Sequence, residues 1–154
     1  MEMNDRRGIT LVELLVSIAI LALVMSVSVS AFGRFTGERT LGTESSRVSA
    51  LLGEARSRAL SSIGGSQYGV QFDSDRAVLF EGTTYDDDAE DNKEVLFNAR
   101  VTISDISLEG GGDDVVFERI SGRTSQYGSI TLVLSGSAGT ADITIEESGV
   151  AYVE

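Results

Sequence analysis

The sequence predicts an α+β fold, with a long N-terminal hydrophobic helix continuing into an amphipathic helix packed on an antiparallel β-sheet head. Three observations predict it. Between Leu14 and Gly33 there is no charged residue. From Val48 to Leu60 apolar residues recur at helical spacing. Beyond Ser66 the texture becomes short alternating apolar and polar runs, divided by Gly, Asp and Ser.

The hydrophobic helix comes first in the chain. The stretch LLVSIAILALVMSVSVSAFG is apolar on all sides, as a buried or membrane-embedded helix is. As a helix it is long enough to cross a hydrocarbon core of ~30 Å. Ser17, Ser26, Ser28 and Ser30 are small enough to let helices pack closely, although a plain membrane anchor would have the same composition. Gly33, Gly37 and Gly42 follow, and are expected to loosen or break the helix there. Helical pattern resumes with Val48, Leu51, Leu52, Ala55, Ala59 and Leu60 on one face, and Arg47, Glu54, Arg56 and Arg58 on the others. The pair Gly64-Gly65 is expected to end it.

The head supplies the strands. Candidates are Tyr68–Phe72, Ala77–Glu81, Val101–Leu108, Val115–Ile120, Ser129–Leu134, Ala141–Ile145 and Val150–Val153. The alternation slips at Asp105, which predicts a bulge or break. Turn residues stand at Asp73-Ser74-Asp75, Gly110-Gly111-Gly112-Asp113, Ser135-Gly136-Ser137 and Ser148-Gly149. The expected division is a leader at 1–8, a transmembrane and assembly helix at 9–33, and a soluble head at 34–154, helical over 34–63 and β-rich over 66–153.

Composition excludes several kinds of chemistry. The 154 residues carry a formal net charge of -12 and no basic cluster, so nucleic-acid phosphates are repelled and no nucleic-acid partner is expected. Cysteine and histidine are absent. No thiolate or imidazole is therefore present to bind zinc or to act as nucleophile or base. Neither an enzyme nor a cofactor is expected. The densest set of ligand-type groups is Asp86-Asp87-Asp88-Ala89-Glu90-Asp91-Asn92. Asp86, Asp88 and Glu90 have the alternating spacing of calcium ligands, but the turn glycine and distal glutamate of a helix–loop–helix site are missing. A solvated acidic loop between strands is the favoured reading of the run. Gly110-Gly111-Gly112 lacks the Lys-Ser/Thr and helix of a phosphate cradle, and reads as a flexible turn.

One charge does not fit its surroundings. Glu13 lies just inside the apolar segment, and an ionisable group bound for lipid is a functional hypothesis with a partner to be found. Arg6 and Arg7 would hold the preceding leader on the cytoplasmic side. A glycine at position 8 gives a peptidase an unhindered backbone.

The residues RRG-ITLVELLVSIAILALV resemble the processing site of type IV prepilins, apart from Ile9 where the family usually has phenylalanine. That resemblance implies a cut between Gly8 and Ile9 by prepilin peptidase, N-methylation of Ile9, and an assembly role for Glu13, which becomes the fifth residue of the mature chain. Its carboxylate would pair with the Ile9 amine of a neighbouring subunit and set the axial register. Snorkelling of Glu13 to the membrane interface is the alternative. The head resembles the GspH/FimT minor pilins and pseudopilins in EARSRAL, in Ile130-Thr131-Leu132, and in the turn Ser148-Gly149-Val150. The family's usual helix proline is absent.

The resemblance implies a structural subunit, a minor pilin or pseudopilin, of a type IV pilus or type II secretion filament. Its implied partners are prepilin peptidase, other pilin or pseudopilin subunits, an inner-membrane assembly platform and membrane lipid. Its implied address is the inner (cytoplasmic) membrane in a single pass, with the head periplasmic or extracellular, and then a pilus or pseudopilus. The alternatives are a DNA-binding competence pilin, which the acidity disfavours, and a membrane-anchored extracytoplasmic binding protein.

Overall fold

The computed structural model describes residues 10–136 and 139–154, with backbone alone for 27–35. Helix α1 spans Leu11–Leu60. Thr10 opens it: its hydroxyl accepts the Glu13 N–H at 3.2 Å, and its carbonyl accepts the Leu14 N–H at 3.1 Å. The first bond satisfies one of the donors that a helix start leaves without intrahelical partners, and the second is the first regular bond of the helix. The assignment runs unbroken through Gly33, Gly37 and Gly42, so the expected break is not there. A glycine costs a helix only about 1 kcal/mol relative to Ala, too little by itself to interrupt one.

The chain divides into two compact units, one up to Thr36 and one from Gly37 to Glu154. In the first, every described side chain from Thr10 to Ser26 is exposed.

In the second unit α1 presents Leu41, Val48, Leu51, Leu52, Ala55 and Ala59 to the core. Leu60, expected on that face, remains 39% exposed. The helix ends before the Gly64-Gly65 pair. The Ala59 carbonyl is taken by Ser62 N–H at 3.1 Å and by Ile120 N–H at 3.0 Å, and Ser62 turns left-handed at φ 51°. A 3-10 turn follows at Ile63–Gly65.

The strands are β1 (Tyr68–Phe72), β2 (Arg76–Glu81), β3 (Lys93–Leu96), β4 (Val101–Leu108), β5 (Asp114–Phe117), β6 (Gly128–Leu134), β7 (Thr140–Ile145) and β8 (Ala151–Val153). They form two antiparallel sheets rather than one, ordered β3-β2-β1-β5 and β4-β6-β7-β8. Alternation in sequence marks the strands but not their neighbours, so the split was not visible there. The register of β4 on β6 shifts between Ile103 and Asp105, at the predicted slip. The inward faces of both sheets and the buried face of α1 share one hydrophobic cluster, with Val70, Phe72, Phe117, Ile130, Leu132 and Ile143 at its centre.

Two strand features depart from simple alternation. In β2, Ala77 to Phe80 are all buried. The outward pair Val78 and Phe80 is covered: Tyr85 packs against Phe80 with ring centroids 5.6 Å apart and the rings tilted at 59°, so the loop after β2 closes over the outer face of that sheet. Gly69 is required beneath Phe80, because a Cβ there would collide with the ring and sit 2.9 Å from the Val115 carbonyl.

Candidate functional site

The N-terminal segment carries the chemistry that sequence reasoning singled out. Arg6, Arg7, Gly8 and Ile9 lie outside the described residues. Glu13 is described and exposed, in the first turn of α1. Its N–H donates to Thr10 Oγ1, and its carbonyl accepts the Ser17 hydroxyl at 2.7 Å. Thr10-x-x-Glu13 has the residue pattern of a capping box. Sequence reasoning missed Thr10, although Thr followed three residues later by Glu before an apolar run is its signature.

Around Glu13 the helix surface is apolar. Leu11, Val12, Leu14, Leu15, Val16 and Ile18 are all more than half exposed. Exposed aliphatic surface of that extent is covered by lipid or by other protein in any stable setting. Among the described residues no helix is long and apolar enough to cross a membrane. The charge-free run itself continues to Gly33, into the positions where only the backbone is described.

The acidic run lies in the loop that covers Phe80, and the side chains of Asp86, Asp87 and Asn92 bond locally. Asp88 N–H donates to Asp86 Oδ1 at 3.1 Å, Asn92 Nδ2 to the Asp86 carbonyl at 2.7 Å, and the Tyr85 hydroxyl to Asp87 at 2.6 Å. The Asp87 bond, then burial, pushes the Tyr85 hydroxyl up to about 12. Arg76 bridges Asp73 at 2.7 Å and Glu94 at 2.9 Å, and reaches Asp87 at 3.6 Å. Asp86, Asp88 and Glu90 are not brought together, and among the described residues no three acidic groups are placed to hold a metal ion. The Asp86 and Asn92 bonds close the run into short side-chain-to-backbone turns.

One electrostatic tie in the head joins helix to sheet. Glu54 bonds Lys93 at 2.6 Å and Arg58 at 2.7 Å. The Lys93 bond holds the Glu54 carboxyl below its ordinary value, against partial desolvation, with Arg58 assisting. Arg56 turns to the far loops, donating to the Gly122 and Ser148 carbonyls at 3.3 and 3.2 Å. The motif EARSRAL thus pins both sheets to the end of α1.

Residues 3–29 match the prokaryotic N-terminal methylation motif. No curated protein matches the chain by sequence. In fold the chain is similar to the minor pseudopilin EPSH from the type II secretion system of Vibrio cholerae, at a TM-score of 0.56 and 13% identity, over 75% of this chain and 94% of that one. The chain therefore carries a prokaryotic N-terminal methylation motif and shares the α+β fold of a minor pseudopilin.

Proposed function

We propose that this protein is a structural subunit, a minor pilin or pseudopilin, of a type IV pilus or type II secretion filament. The observation that carries the reading is the methylation motif over residues 3–29, continuous with a helix whose described surface up to Met25 is exposed and mainly aliphatic. Before assembly the Leu14–Gly33 run lies in the cytoplasmic membrane in a single pass, with Arg6 and Arg7 on the cytoplasmic side. Prepilin peptidase cuts between Gly8 and Ile9, and the new Ile9 amine is methylated. In the filament the same helices pack against one another, which covers the aliphatic surface left exposed in the single chain. Glu13 then pairs with the Ile9 amine of a neighbouring subunit. The partners are the peptidase, other pilin or pseudopilin subunits, the inner-membrane assembly platform and lipid.

The acidic surface keeps the head soluble outside the membrane and repels nucleic acid. The test is the fate of a Gly8 variant. Substitution of Gly8 by a bulky residue should leave uncut precursor in the membrane fraction and none in sheared filaments. A Gly8 variant that is processed and assembled normally would refute the reading.

A further inference from the structure

The outer face of the β3-β2-β1-β5 sheet carries polar groups that the fold leaves uncommitted. Gln71 and Asp114 stand directly opposite one another in the β1–β5 ladder. Val70, Phe72 and Val115 beside them are buried, so alternation turns Gln71 and Asp114 to the outside. Opposite residues on one face have Cβ atoms about 5 Å apart, which sets an amide beside a carboxylate. Gln71 Nε2 makes one long bond, to the Phe72 carbonyl at 3.4 Å. The Asp114 carboxylate has no salt bridge or hydrogen bond among the described residues.

An aromatic side chain adjoins this pair. Gly69 lies two residues before Gln71 on the same face, and the Phe80 ring lies across it. Tyr85 packs against Phe80, and its hydroxyl donates to Asp87 at 2.6 Å, so the Tyr85 ring is held at both ends. Tyr85, Gln71 and Asp114 line one recess of about 450 Å³, completed by Thr83 and Thr84. Neither threonine hydroxyl has a partner among the described residues. The recess thus combines one positioned aromatic ring with a carboxylate, an amide and two hydroxyls.

That set of groups suits a neutral sugar. A pyranose has an apolar C–H face and a rim of hydroxyls, each of which both donates and accepts. An aromatic ring suits the face. A carboxylate accepts from a hydroxyl with charge assistance, and an amide beside it can both donate and accept. Phosphate and sulfate groups do not suit the recess, because no Lys or Arg lines it and the chain carries a net charge of -12. A hard metal ion would need several oxygen ligands, and Asp114 is the one carboxylate in the lining. We propose that this recess binds a neutral saccharide residue, its C–H face on Tyr85, adjacent hydroxyls on Asp114 and Gln71, and Thr83 and Thr84 at the rim. A single sugar ring held by so few groups binds with a dissociation constant on the order of 1 mM. Repeated sugars presented together bind more tightly by avidity. The site goes beyond the proposed filament role and does not depend on it.

The test uses the full-length protein, purified in a detergent without a sugar headgroup. It is applied to an array of immobilised neutral, amino and sulfated glycans, and each glycan retained is titrated as the soluble oligosaccharide by calorimetry. Neutral glycans should be retained, with an affinity that changes little on adding salt. Asp114→Asn should weaken the affinity about tenfold, and Gln71→Ala several-fold. Both side chains face outward, so both variants should melt within a few degrees of wild type. Tyr85→Ala should abolish binding, but it also uncovers Phe80, so the two sheet variants carry the test. Retention of no neutral glycan, or an affinity that Asp114→Asn and Gln71→Ala leave unchanged, would overturn the proposal. So would losses of binding that track a lowered melting temperature in both variants. Retention of amino glycans alone, abolished by salt, would make the recess a cation site instead.

Discussion

Leu52 is the side chain on which the helix–sheet packing of the head can be tested quantitatively. It is 1% exposed and sits in the cluster shared by α1 and both sheets. Leu52→Ala removes three carbon groups worth about 0.8 kcal/mol each in transfer from water. The cavity left between a helix and two sheets adds to that, for a total of about 3–4 kcal/mol. Leu60 is the internal control: it lies eight residues on in the same helix but is 39% exposed, so Leu60→Ala should cost about 1 kcal/mol or less. For a head of this size, each kcal/mol moves the melting temperature by roughly 3–6 °C. Leu52→Ala should therefore melt about 10–20 °C below wild type and Leu60→Ala within a few degrees of it. The assay is a circular dichroism melt of residues 37–154, the second compact unit, with urea midpoints as a check. Equal losses in the two variants would refute the assignment of the buried face. A fragment with no cooperative melt would show that the core needs the N-terminal helix as well.

Two further outcomes follow from the site. Glu13→Gln preserves a side chain able to complete the Thr10 capping box but removes the charge, whereas Glu13→Leu removes both. If pairing with a neighbour's amine is the role, both variants should insert in the membrane and both should be depleted from sheared filaments by immunoblot; normal entry of Glu13→Gln alone would reduce Glu13 to a helix cap. The Glu54 carboxyl is held below its ordinary value of 4.5, chiefly by Lys93. Its contribution to stability is therefore complete above that pH and lost as pH falls through the lowered value. Lys93→Met should flatten the fall of urea midpoints as pH drops below 4.5, and an unchanged slope would show that the bond does not persist in solution.

The parts of the fold legible in the sequence were those written in local periodicity. The buried positions of α1 from Val48 to Ala59 follow from helical spacing, and β1, β4, β6 and β7 from alternation. The bulge before Asp105 was legible because a period of two cannot absorb an extra residue silently. What escaped was set by non-local pairing. Strand β3, Lys-Glu-Val-Leu, is a charged, exposed edge that β2 recruits, and its own sequence carries little strand signal. The early end of α1 depends on Ile120, 61 residues after the Ala59 carbonyl it caps. Separation into two sheets depends on which strands meet, and alternation is blind to that. At the site, Glu13 stood out because a carboxylate contradicts an apolar helix. For Asp86, Asp88 and Glu90, spacing in a loop does not fix direction: among the described residues no three acidic groups are placed to hold a metal ion, and the Asp88 N–H donates to Asp86 Oδ1.

The central claim is that the chain is processed as a pilin and assembled through the helix so released. Intact-mass and N-terminal peptide mass spectrometry of the protein recovered from sheared filaments tests it most directly. The account predicts a chain that begins at Ile9 and carries one added methyl group on its amine. A mature chain that begins at Met1, or one cut after Ala31 as by an ordinary signal peptidase, would contradict it.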